Sequence, residues 1–165
     1  VHPAATLNRV GRGAVAYIPA DVCRDFNRNR YPMIREWIGE VTRRTAGPLP
    51  ITIKAPVCID VALRRKGTQT IVHLVNRSSG IPNQPNNGAI DEIPAVGPVT
   101  ITIRTAQAPA SVTAAWEGGK PSWSHRGRTL TITLPSVRIH EAVVIASTSA
   151  SVTLDPIRAA ARSGG

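Results

Sequence analysis

Read as a string of apolar and polar positions, the chain changes rhythm once, near Pro50. Before that point the pattern is mixed. Residues 13–18, Gly-Ala-Val-Ala-Tyr-Ile, form a short apolar run between Gly11-Arg12-Gly13 and Pro19, which reads as a buried strand of a parallel sheet. The polar stretch 21–30 reads as a loop. From Pro32, which suits the first turn of a helix, Ile34, Trp37, Ile38 and Val41 recur at i, i+3, i+4 and i+7, one apolar stripe on a helix. Gly47-Pro48 stops it and Pro50 confirms the break. A lone strand and helix cannot bury both their faces, so residues 1–47 are expected to be the C-terminal end of an α/β domain whose remainder lies elsewhere.

After Pro50 the period becomes two. Val57, Ile59, Val61 and Leu63 alternate with Cys58, Asp60, Ala62 and Arg64; residues 65–68 make a turn, and 69–76 return as the second strand of a hairpin. Residues 77–98, rich in Gly, Pro and Asn, are too long for an ordinary connection and read as a binding loop or a crossover. Further strands are expected at 99–104, 111–116, 130–134, 139–145 and 150–154, with turns at 118–121 and 125–128. Short strands, frequent turn signals and no helical period predict an antiparallel β-sandwich of the immunoglobulin-like, Greek-key kind over 51–155, followed by a tail, 156–165.

Composition supports strands: 42% of residues are apolar but only 4% aromatic, leaving a core of Val, Ile, Leu and Ala. Charge adds less than its size suggests. The formal net charge is +10, from 20 Lys and Arg against 10 Asp and Glu. The cations cluster at 24–30, 43–44 and 64–66 in loops or element ends, with no interleaved aromatics, and so read as solvated faces rather than a nucleic-acid footprint. No specific nucleic-acid partner is expected. No apolar run approaches the length of a membrane span, so no membrane partner is expected either. Cys23 and Cys58 show no metal or redox spacing, and Cys58 reads as a buried thiol. They leave the compartment open, with the cytoplasm favoured. The chain opens on Val1 inside what reads as a running segment, and a part of a longer polypeptide is expected.

The residues that carry chemistry in other proteins do not group here. The carboxylates fall in no acid/base motif, G-x-S-x-G is absent, and no His spacing suits a metal; catalytic residues, metals and cofactors are all expected to be none. His73 reads as a strand histidine satisfied by a backbone partner, and His140 as structural too. The remaining candidates are for sugar binding. Trp116 and Trp123, around a Gly-Gly turn, suit either a stacking platform or aromatic packing across a hairpin. Asn83, Asn86 and Asn87 of the long loop would join the platform as hydrogen-bonding groups.

Four segments carry a resemblance. Residues 11–19 (Gly-Arg-Gly-Ala-Val-Ala-Tyr-Ile-Pro), 72–76 (Val-His-Leu-Val-Asn), 92–99 (Glu-Ile-Pro-Ala-Val-Gly-Pro-Val) and 134–145 (Leu-Pro-Ser-Val-Arg-Ile-His-Glu-Ala-Val-Val-Ile) resemble, in order, the C-terminal region of beta-galactosidase-like glycoside hydrolases. That region holds the end of a flavodoxin-fold, amidotransferase-like trimerisation domain and a following sandwich. In this family the catalytic carboxylates sit on an N-terminal barrel, so the resemblance implies a non-catalytic accessory module, no active-site residue to carry over, and as partner the remainder of the parent enzyme or a homo-oligomer. A carbohydrate-binding sandwich is the alternative.

Overall fold

The computed structural model describes residues 3–11, 13–47, 49–78 and 92–147. They form two compact units that part between Leu49 and Pro50.

The first unit is a hairpin with two helices. Strand β1 (Thr6–Val10) pairs antiparallel with β2 (Gly13–Tyr17). The apolar run at 13–18 is therefore the return strand of a hairpin and not a buried parallel strand, because its hydrogen-bond partner is the adjacent segment. The stretch at 21–30 is not a loop either. Helix α1 (Val22–Asn29) starts at Asp21, whose carboxylate accepts the Arg24 N–H. Helix α2 (Pro32–Ala46) has Pro32 in its first turn and ends at Gly47, whose φ is 73°. Its apolar stripe Ile34, Trp37, Ile38 and Val41 is the half-buried face, and the helix packs on β2. No described residue of this unit is buried. Leu7, Ala16, Trp37 and Val41 line an open groove of about 330 Å³. Val10, Val15 and Tyr17 alternate onto the hairpin face opposite Leu7 and Ala16, and are 60%, 57% and 65% exposed.

The second unit is an antiparallel sandwich of two four-stranded sheets. The first sheet has the order β4 (Ile59–Lys66), β5 (Gln69–Asn76), β10 (His140–Ala146), β7 (Ser111–Ala114). The second has the order β3 (Ile51–Lys54), β6 (Val99–Arg104), β9 (Thr129–Leu134), β8 (Ser122–Arg126). The expected hairpin is β4–β5, turning at Gly67. Strands β3 and β8 lie outside the predicted set, and the expected strand at 150–154 falls outside the described residues.

Alternation decides the core. On β5, Thr70, Val72, Leu74 and Asn76 face in; on β10, Glu141, Val143 and Ile145; on β6, Val99, Ile101 and Ile103; on β9, Leu130, Ile132 and Leu134. Burying each such aliphatic side chain contributes about 1.5–3 kcal/mol before conformational entropy is subtracted. Three of these inward positions, Thr70, Asn76 and Glu141, are polar, and Asn76 and Glu141 belong to the segments that carried the resemblance.

Candidate functional site

Asn76 ends β5 with 5% of its surface exposed. Its amide nitrogen donates to the carbonyls of Pro94, Val137 and Arg138, and its oxygen accepts the Ser78 N–H. One side chain thus ties the end of the hairpin to the segments before β6 and before β10. Val96 and Val137 close the same joint with two backbone hydrogen bonds. Beside them, a Cβ at Gly97 would lie 2.2 Å from the Pro135 carbonyl oxygen, so only glycine fits. The conspicuous residues of 72–76, 92–99 and 134–145 are therefore the joints of the sandwich.

Glu141 makes a second joint. It is 2% exposed, and its oxygens accept the N–H groups of Trp116, Glu117 and Ala142 at 2.9, 3.1 and 2.9 Å. Glu117 returns the contact: its carboxylate accepts the N–H groups of Arg138, Ile139 and His140 at 2.9, 2.6 and 3.3 Å. Desolvation, the largest influence on Glu117, raises its pKa, but the backbone donors of Ile139, Arg138 and His140, with the Arg138 charge, together outweigh it and hold the carboxyl below its ordinary value. Glu40 is also lowered, by hydrogen bonds from Arg44 and then Arg43. Glu117, Glu141, Glu40, Asp21 (to Arg24) and Asp60 (to Arg77) all have hydrogen-bonded or ion-paired partners, those of Asp21 and Asp60 at the exposed surface.

This clasp presents an aromatic group. Trp116 follows β7, has its backbone held by Glu141, and is 71% exposed. Its ring meets His140 edge-on, centroids 5.5 Å apart. His140 in turn faces His73: the rings are within 10° of coplanar with centroids 5.3 Å apart, and His73 Nδ1 lies 3.1 Å from His140 Nε2. His73 therefore takes a side-chain partner, not the backbone partner its strand position suggested. Both histidines alternate with the inward residues and so stand on the outer face of the first sheet.

The other candidates separate from Trp116. Trp123 is on β8, at the edge of the second sheet, opposite Ile132 and 41% exposed. The chain changes sheets between Ala114 and Ser122, so the two tryptophans do not flank a hairpin and do not share one sheet face. Asn83, Asn86 and Asn87 lie outside the described residues. Cys58 is half-buried rather than buried, and both cysteines are free. Among the described residues no group of three or more His, Cys, Asp or Glu side chains is placed to hold a metal, and no helix is long and apolar enough to cross a membrane. Sequence reasoning missed the Glu117–Glu141 clasp and the His73–His140 pair, since both join segments more than twenty residues apart; the one signal was Glu141, a charged residue at an inward position of a strong strand.

No family model matches the chain, and no curated protein matches it. A solved structure does. The fold is similar to that of alpha-L-fucosidase isoenzyme 2 from Paenibacillus thiaminolyticus. The TM-score is 0.65 at 17% identity, over 87% of this chain and 22% of that one. The chain thus spans about a fifth of the fucosidase's length, and at this identity the likeness shows a fold shared with part of a glycoside hydrolase.

Proposed function

We propose that the chain is a non-catalytic accessory module of a glycoside hydrolase-like protein. In this reading the first unit is the end of an amidotransferase-like trimerisation domain, and the sandwich braces the enzyme or its oligomer. The observation that carries the proposal is that the first unit buries no described residue and leaves Val10, Val15 and Tyr17 open on one face. An α/β layer without a core is completed by further polypeptide. The fold likeness to a fifth of a fucosidase supports the same reading, as does the commitment of Glu117 and Glu141 to backbone donors.

Hydrogen exchange on the 165-residue chain tests it. Amides of residues 6–46 are expected to exchange close to unfolded rates while β5, β6, β9 and β10 stay protected. Equal protection of both units in the monomer overturns the proposal. So does turnover of nitrophenyl pyranosides that is lost on replacing a carboxylate of this chain.

A carbohydrate-binding sandwich is the second reading, favoured by one observation: a tryptophan exposed on a pinned backbone.

A further inference from the structure

We infer that the outer face of the first sheet, where Trp116, His140, His73, Val75, Asp60 and Arg77 follow one another in a row across the strands, is a binding site for a neutral pyranose sugar. Trp116 supplies the stacking surface. The residue is 71% exposed, while its backbone N–H and that of Glu117 are held by Glu141. An aromatic group fixed before binding loses little conformational entropy when a ligand arrives. The ring continues into His140 and His73 with centroid spacings of 5.5 and 5.3 Å, giving a strip rather than an isolated side chain.

The histidine pair supplies directed polar groups. The separation of ring centres exceeds the 3.1 Å between Nδ1 of His73 and Nε2 of His140 by about two ring radii, so the two nitrogens face head-on and share one proton. A neutral imidazole has one N–H and one lone pair. The shared contact uses one donor and one acceptor, so whichever ring donates, the two outer nitrogens present one donor and one acceptor. Among the described residues neither outer nitrogen has a hydrogen-bond partner. A sugar hydroxyl both donates and accepts, and suits such a pair.

The rest of the face sets the ligand's charge. Val75 stands opposite His140 in the ladder, and Asp60 stands opposite Val75. Arg77 Nη1 lies 3.1 Å from Asp60 Oδ2, and the two side chains are 60% and 59% exposed. The ion pair cancels its own charge yet leaves guanidinium donors and carboxylate lone pairs for further hydroxyls. An anionic ligand meets Asp60 and a cationic one meets Arg77, whereas a neutral polyhydroxyl ring with one C–H face meets no opposing charge. Choosing a sugar over another neutral polyol rests on the glycoside hydrolase-like reading above; the site itself rests on these six residues.

The test is a two-dimensional NMR titration of the full 165-residue chain with methyl α-L-fucopyranoside, methyl β-D-galactopyranoside and methyl β-D-glucopyranoside, with glycerol as control. At least one pyranoside is expected to shift the Trp116 indole N–H and the His73 and His140 ring signals saturably, and glycerol none of them. Trp116→Ala is expected to weaken binding at least ten-fold and Arg77→Ala several-fold, while Trp123→Ala leaves it within two-fold. The inference is overturned if no pyranoside shifts these signals at tens of millimolar, if glycerol does so equally, or if binding follows Trp123 instead. Failure here with the expected exchange pattern removes the sugar site and leaves the accessory role; failure with both units equally protected removes both.

Discussion

Glu141 holds the backbone of Glu117, and Glu117 holds the segment that leads into Glu141. The Glu117 N–H is 3.1 Å from Glu141 Oε2, and the Glu117 carboxylate in turn takes the three N–H groups that lead into Glu141. Six backbone donors are satisfied by two side chains at the place where β7 leaves the first sheet and β10 enters it. Successive N–H groups that converge on one carboxylate make a concave anion site, here filled by the chain itself.

Removing Glu141 therefore orphans three N–H groups in a nearly dry setting. Glu141→Ala is expected to lower unfolding free energy by about 3 kcal/mol, since each buried unsatisfied donor costs roughly 1–3 kcal/mol and some regain water. Urea unfolding followed by tryptophan fluorescence measures it. The Glu117→Ala, Glu141→Ala double variant is expected to lose less than the two singles together, because each holds the other's segment.

The clasp also makes the sandwich acid-sensitive. The folded pKa of Glu117 is below its ordinary 4.5, so as pH falls the unfolded chain takes up its proton first. Between those two values the unfolded state binds more protons, and stability rises with pH. This contribution is complete above the ordinary value and is lost as pH falls through the folded one. Urea midpoints measured from about pH 6 down to about pH 3 are expected to fall, and Glu117→Gln to flatten that fall.

Asn76 donates to three carbonyls, which fixes its amide orientation and its chemistry. Aspartate has the same shape and no donor, and would set a carboxylate against those oxygens. Asn76→Asp is expected to cost about 3 kcal/mol or more at neutral pH, and clearly more than Asn76→Ala. Thermal melts of the two variants decide between them.

Gly97→Ala tests the neighbouring joint. The added methyl would meet the Pro135 carbonyl oxygen and, at 2.8 Å, the Ser136 Cα, both backbone atoms that cannot rotate away. A loss of about 2–4 kcal/mol is expected by urea unfolding. By contrast, a change under about 0.5 kcal/mol is what an open surface position gives.

Periodicity made much of the fold legible. The β4–β5 hairpin could be read because strict alternation meets a glycine turn, and the α2 stripe because its apolar spacing has one period only. Helix α1 was not legible: Arg24, Asp25, Asn27, Arg28 and Asn29 leave just Val22 and Phe26 half-buried. Strand β8 was hidden because Ser122, Ser124 and Arg126 surround its tryptophan and histidine and run into a Gly127 turn. The site was legible as residue types and not as a place. Nothing local tells Trp116 that its neighbour is His140 rather than Trp123, since that follows from the change of sheet between Ala114 and Ser122.

Strand order has a consequence for synthesis. One of the two inner strands of the first sheet is β10, whose partners β5 and β7 come earlier in the chain and do not touch each other within that sheet. β9 stands in the same relation to β6 and β8. As the polypeptide leaves the ribosome, β5 and β7 emerge with unpaired edges and stay so until residue 146 has cleared the exit tunnel. Contacts this distant in sequence form slowly, and open edges invite pairing with the wrong strand. The nascent chain is thus most exposed to aggregation and to chaperones in the interval between β7 and β10.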